Sequence, residues 1–101
     1  MALNATMAPD GNSITIRVGG RFDFNLHKDF RSVYKELTNP QIRYVIDMAG
    51  TEYMDSSALG MLLLLREFAG GDKADIEIIN ANPEIQKIFT ISNFHRLFDI
   101  R

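Results

Sequence analysis

The strongest constraint on the fold is a helix signal set between two strand signals. Asp55-Ser56-Ser57 is a polar step that leads directly into Ala58-Leu59-Gly60-Met61-Leu62-Leu63-Leu64-Leu65. Asp and Ser side chains accept hydrogen bonds from the unpaired amides of a first helical turn, and the apolar run behind them gives the helix a body to bury. Gly70-Gly71 supplies a C-terminal stop, so the helix is expected to reach Phe68 or Ala69. Before it, Arg43-Tyr44-Val45-Ile46-Asp47-Met48 has an almost continuous apolar centre, and after it comes Ile76-Glu77-Ile78-Ile79. Both read as strands of a sheet covered on at least one face. Strand, helix and strand joined by short connections imply a crossover between parallel strands.

The flanking segments extend this core. Leu3–Met7 reads as a first strand, Pro9, Asp10, Gly11 and Asn12 as a turn, and Ser13–Val18 as a second strand with strict polar and β-branched alternation. The two should form a hairpin that ends at Gly19-Gly20. Arg21-Phe22-Asp23-Phe24-Asn25 is expected as a loop in which Asp23 or Asn25 caps the next helix. That helix is predicted over residues 26–37, with Leu26, Phe30, Val33, Tyr34 and Leu37 on one face and Thr38-Asn39-Pro40 as its stop. Residues 49–52 are expected to turn. Asn82, Pro83 and Glu84 agree on the start of a third helix, striped by Ile85, Ile88, Phe89 and Ile91 or Ser92. Phe94-His95 should break it, and Leu97 to Ile100 is a candidate last strand. The predicted order is β, β, α, β, α, β, α, β, a single α/β domain over residues 1–101 with a mixed sheet and helices packed against it. Asp23 and Asp55 both fall in strand-to-helix loops, where such sheets collect function at one edge.

Composition removes several classes of chemistry. A chain of 101 residues buries roughly 60 to 70% of its unfolded surface in one core, so no staples are needed. It has no cysteine, hence no disulfide, thiolate metal site or cysteine nucleophile, which fits a reducing compartment. His27 and His95 are far apart and outside any metal-ligand spacing. Eleven Lys plus Arg, scattered along the chain, stand against thirteen Asp plus Glu for a net charge of −2, which offers no basic surface for nucleic acid. The longest apolar run, Met61 to Leu65, is five residues, where a membrane span needs about eighteen. With no signal peptide read at the N-terminus, the expected location is cytoplasmic. There is no Gly-x-Ser-x-Gly elbow, neither histidine sits in a motif that makes it a base for Ser56, and both Gly-Gly pairs read as turn punctuation. A non-enzymatic protein without cofactor or metal is expected.

Gly20-Arg21-Phe22-Asp23 after a hairpin, Val45-Ile46-Asp47-Met48 as the next strand, and Met54-Asp55-Ser56-Ser57-Ala58-Leu59-Gly60 opening a helix together resemble the STAS-domain anti-sigma-factor antagonists of bacteria. The resemblance runs from about Leu3 to the C-terminus, and its most specific part is the Asp-Ser-Ser-x-Leu-Gly segment. It implies a single STAS-like domain with a mixed sheet of four to five strands, an N-terminal antiparallel hairpin and about three helices. It further implies that the first serine after the aspartate, Ser56, is phosphorylated by a partner serine kinase that is often also the anti-sigma factor, and dephosphorylated by a PP2C-like phosphatase. On that reading the unmodified form binds the anti-sigma factor and frees the sigma factor. Members of the family commonly continue past the last strand into another helix, whereas this sequence stops at Arg101, which leaves self-association open.

Each candidate residue also has a plain structural role. Asp55 and Ser57 serve as N-caps, and Ser57 competes with Ser56 as acceptor only if the motif slips by one position. Asp23 either caps a helix or meets the partner. Of Phe22 and Phe24 one should pack inward, and an exposed Phe24 beside the loop would anchor a partner. Met61 and Leu64 either belong to a broad buried face or form a docking ridge. The partner surface is therefore expected to comprise Asp23, Phe24, Asp55, Ser56, Ser57 and Met61. Two other readings stand beside the switch: a STAS-like regulatory subunit of a transporter ATPase complex, in which Ser56 only caps, and a small anion-binding domain.

Overall fold

Alternating apolar and polar residues make the strands two-faced, and the sheet sorts those faces. In the computed structural model, which describes residues 3–101, the strands are β1 (Leu3–Met7), β2 (Ser13–Val18), β3 (Gly20–Phe22), β4 (Arg43–Asp47), β5 (Thr51–Met54), β6 (Asp75–Ile79) and β7 (Asp99–Ile100). The helices are α1 (His27–Tyr34), α2 (Ser56–Phe68) and α3 (Pro83–Ile91). β1 and β2 pair antiparallel, and β2, β4, β6 and β7 run parallel, giving a five-stranded sheet in the order β1-β2-β4-β6-β7. The α/β class, the hairpin and the mixed sheet are as expected.

Register places Ile16, Ile46 and Ile78 in one row across the centre, each with no exposed surface. A fully buried aliphatic side chain of this size contributes about 1.5–3 kcal/mol. The same face carries Val18, Tyr44 and Met48 and joins Phe30 of α1, Leu62 and Leu65 of α2, and Ile85 and Phe89 of α3 in one cluster. The opposite face carries charge: Arg17 meets Asp47 at 3.9 Å, Arg43 meets Asp75 and Glu77 at 3.0 Å, and Arg101 meets Glu77 at 2.9 Å. The helices therefore cover one side, and the other is a polar surface.

Several element boundaries differ from expectation. The segment predicted as a loop at Arg21 and the turn at residues 49–52 contain β3 and β5, which pair parallel as a separate two-stranded ribbon. The Gly20 amide donates to the Gly50 carbonyl at 2.8 Å, and the buried Thr51 hydroxyl donates to the Val18 carbonyl at 2.6 Å, tying the ribbon to the end of β2. α1 is shorter than residues 26–37, because a 3₁₀ turn at Phe24–Leu26 precedes it and the chain leaves the helix after Tyr34. Of the two alternatives for the end of the α3 stripe, Ser92 is the one realised: its hydroxyl donates to the Ile88 carbonyl at 2.8 Å, while Ile91 is 80% exposed. The last strand holds only Asp99 and Ile100, since Phe94–Arg96 forms a 3₁₀ turn and Phe98 packs its ring 5.2 Å from that of Phe94. The remaining signals are met: Gly70 and Gly71 follow α2 at positive φ, and Asn82 caps α3 by accepting from the Ile85 amide at 2.9 Å.

Candidate functional site

The ribbon sets the site. Phe22 of β3 lies opposite Met54 of β5, both with buried side chains, so the next residues, Asp23 and Asp55, leave the ribbon side by side. The Asp55 amide donates to the Phe22 carbonyl at 3.4 Å across that end. The expectation that two strand-to-helix aspartates meet at one edge is thus realised by two short strands in segments whose sequence has the character of loop and turn.

Asp55 is the N-cap of α2. Its backbone is extended, and its Oδ1 accepts from the amides of Ser57 at 3.0 Å and Ala58 at 3.2 Å and from the Ser57 hydroxyl at 2.5 Å. The Ser57 hydroxyl bond holds the Asp55 carboxyl below the ordinary carboxylate pKa; burial opposes it, and the two amides and the charge of Arg21 add to it. Ser57 is half-buried and its hydroxyl is committed to the cap. Ser56 is exposed at the first helical position, and its hydroxyl has no hydrogen-bond partner among the described residues. The two adjacent serines are thereby given different chemistry: one is structural, the other is free at the positive end of a thirteen-residue helix.

Asp23 caps the 3₁₀ turn rather than α1 itself, accepting from the Asn25 amide at 3.0 Å, while its other oxygen faces Arg21 Nε at 3.4 Å. Phe22 packs inward against Phe30, and Phe24 is 68% exposed and stacked on His27 with ring centroids 5.1 Å apart. Met61 is a correction: at 4% exposure it belongs to the core, because the helical turn carries it to the side of Ala58, Leu62 and Leu65. The apolar residues that α2 does present are Leu63, Leu64 and Phe68, and Leu64 and Phe68 line a groove with His27, Arg31 and Tyr34 of α1.

Two residues at this edge were not picked out by their sequence pattern. Arg21 lies opposite Tyr53 in the ribbon, its guanidinium 4.0 Å from the ring centroid, and it is the only cation paired to Asp23 among the described residues. The signal was present in outline: Arg21-Phe22-Asp23 and Tyr53-Met54-Asp55 are both polar, apolar, acidic, the pattern of two short strands with matched ends. No group of three or more metal-ligating side chains gathers among the described residues, and no described helix is long and apolar enough to cross a membrane.

Comparison with known proteins places this geometry. The family model described as Mlab, STAS domain matches residues 5–99. A STAS-domain containing protein of Pseudomonas aeruginosa (strain UCBPP-PA14) is 51% identical over 100 residues, covering 99% of each chain. Among solved structures, the anti-sigma factor antagonist SpoIIAA in its unphosphorylated form is similar with a TM-score of 0.72 at 18% identity, over 89% of this chain and 83% of that one. An anti-sigma factor antagonist from Mycobacterium paratuberculosis gives 0.75 at 17% identity, over 97% and 84%. The Bacillus cell fate determinant SpoIIAA in the phosphorylated form gives 0.69 at 16% identity, over 99% and 91%.

Proposed function

The chain belongs to the STAS-domain family, and from that premise we propose that it is an anti-sigma-factor antagonist that works as a phosphorylation-controlled partner switch. In its unmodified form it binds an anti-sigma factor with serine kinase activity, so that the sigma factor is released. Phosphorylation of Ser56 ends that binding, and a PP2C-like phosphatase restores it. The observation that carries this reading is the division of labour at the helix start. Asp55 and Ser57 form a self-contained cap, which leaves the exposed Ser56 hydroxyl open to transfer without loss of a structural bond.

Phosphate at this position leaves the fold in place. The positive end of the α2 dipole favours an added anion, and the Asp55 cap keeps its bonds to the Ser57 and Ala58 amides, so the modification adds charge to the surface and does not unfold α2. The fold neighbour SpoIIAA is solved in both phosphorylated and unphosphorylated forms, and this chain is similar to both, with TM-scores of 0.69 and 0.72. The net charge of the domain would move from −2 to about −3.5 or −4, with the added charge beside Asp55 and Asp23. A partner that desolvates this edge meets repulsion there, and a coupling of about 3 kcal/mol weakens binding roughly a hundredfold or more. Phe24, beside the switch, is the exposed anchor on the partner surface.

Intact-mass measurement of the protein from its native cell, with the modified peptide mapped, tests the switch: one phosphate adds about 80 Da and should sit on Ser56. Ser56→Asp should abolish binding to the kinase while helix content is unchanged, and Ser56→Ala should bind without being switched off. Equal binding by the two variants contradicts the mechanism. A second reading, a regulatory subunit of a transporter ATPase complex, draws on the exposed Leu63, Leu64 and Phe68, which give α2 a docking face that needs no modification. It requires a stable ATPase complex whose affinity Ser56→Asp leaves unchanged.

A further inference from the structure

The two edges of the five-stranded sheet are built differently. β7 is two residues long and flanked by charge, with Asp99 held by Arg101 at 3.1 Å, and so is poorly suited to further pairing. β1, Leu-Asn-Ala-Thr-Met, is five residues long, pairs with β2 without a bulge, and contains neither charge nor proline. The usual protections of a sheet edge are absent from it.

Which of its backbone groups are free follows from the hairpin. The Ala8 amide donates to the Ser13 carbonyl, so Ala8 and Ser13 form a hydrogen-bonded antiparallel pair, as do Thr6 with Thr15 and Asn4 with Arg17. The alternate residues, Leu3, Ala5 and Met7, direct their amides and carbonyls away from β2. The bond from the Arg43 amide to the Asn12 carbonyl supports the same parity, since it places the even-numbered residues of β2 toward β4. The side chains of Leu3, Ala5 and Met7 stand on the apolar face, opposite Val18, Ile16 and Ile14. There α1 covers Leu3, but Ala5 is exposed and Met7 is 40% exposed.

We infer that β1 is a self-association edge, at which a second copy of this chain adds its own β1 antiparallel across a two-fold axis through Ala5. That register uses every outward group. Ala5 exchanges two hydrogen bonds with the partner's Ala5, and Leu3 and Met7 exchange two with the partner's Met7 and two with the partner's Leu3, respectively. It also matches side chains, with Leu3 against Met7 on the apolar face and Asn4 against Thr6 on the polar face. A shift by one residue would break both matches. The seam is short compared with standard interfaces, which bury about 1,200–2,000 Å². Association is therefore weak, and it joins two five-stranded sheets into one. It stands apart from the Ser56 edge and does not depend on the switch.

The full chain is tested by sedimentation from micromolar to millimolar concentration, with hydrogen exchange at both ends of the series. The expected result is a mass rising toward twice the monomer value, with the amides of Ala5 and Met7 slowing as it rises while that of Thr6 is slow throughout. Ala5→Pro removes an outward amide that β2 does not use, and should keep the fold by circular dichroism while losing association. The chain has no cysteine, so introduced thiols report position. Ala5→Cys should cross-link under oxidation, because its two Cα atoms would lie about 5.5 Å apart. Thr6→Cys should not, its copies being roughly 8 Å apart. A monomer at every concentration, association that survives Ala5→Pro, or equal cross-linking by the two cysteine variants overturns the inference.

Discussion

Gly60 stands in the middle of α2, one turn beyond Ser56 on the exposed side of the helix, and an exposed helical glycine is a cost that the monomer does not recover. Glycine in a helix interior is less favourable than alanine by about 0.5–1 kcal/mol, because the unfolded chain has more freedom to lose. A Cβ built at Gly60 meets nothing within 4 Å, and its backbone is not at positive φ, so neither crowding nor strain offsets the gain. Gly60→Ala should therefore stabilise the isolated protein by about that amount, which for a domain of this size raises Tm by roughly 2–8 °C. Thermal denaturation followed by circular dichroism at fixed concentration reads it. A lower Tm would refute the argument, since it requires a neighbour that the open space excludes. The same substitution should act oppositely on the proposed interface. A methyl group between Ser56 and Leu64 holds a partner's surface away from the helix backbone, so affinity for the kinase should fall while stability rises. Unchanged affinity would place the docked partner elsewhere on the domain.

Two further measurements probe the ribbon and the helix cap that hold Ser56 in place. Thr51→Val leaves the Val18 carbonyl without the hydroxyl that it accepts from inside the core, and should lower stability by about 1–3 kcal/mol in a denaturant titration while helix content stays constant. The Asp55 carboxyl is held below its ordinary pKa chiefly by the Ser57 hydroxyl, so the folded state binds fewer protons than the unfolded one in that range. Its contribution is fully present above the ordinary carboxylate pKa and is lost as pH falls through the lowered value; in a pH series of unfolding, Ser57→Ala should flatten this segment of the acid limb.

The long elements were legible because each declares itself twice. α2 carries a cap and an apolar body, α3 carries Asn82 and Pro83 at its start, and β2 and β4 carry the alternation that the sheet then sorts into a buried row and a charged face. What escaped was short or set by tertiary contact. β3 and β5 hold three and four residues, too few for a periodic signal, and they exist because Gly20 and Thr51 are tied to Gly50 and Val18. Ile91 looks like core by composition, yet the phase of α3 turns it outward. Met61 and Leu64 were indistinguishable in a run of apolar residues; only the direction from which the sheet approaches α2 separates them, leaving Met61 inside and Leu64 54% exposed. The Asp55 to Ser57 step was readable as a cap, but the separate states of its two serines depend on a hydroxyl bond that sequence does not print.

On the proposed function, the ribbon also accounts for how a modest change in net charge acts as a switch. At physiological ionic strength a charge is felt over a Debye length of about 8 Å, so a docking partner responds to the neighbourhood of Ser56 and not to the domain as a whole. Asp55 caps the same helix start, Asp23 leaves the paired strand beside it, and Arg21 is already shared between the Asp23 carboxylate and the Tyr53 ring. Phosphorylation of Ser56 would add about −1.5 to −2 beside these two carboxylates. Arg21 carries one positive charge and already faces Asp23, so it cannot offset both that carboxylate and a phosphate of about −1.5 to −2. The domain's total charge doubles at most, while the whole of the added charge falls beside Asp55. Two aspartates and the engaged Arg21 at the ends of paired strands, with the exposed serine at the start of a helix, would concentrate that effect at the proposed docking edge.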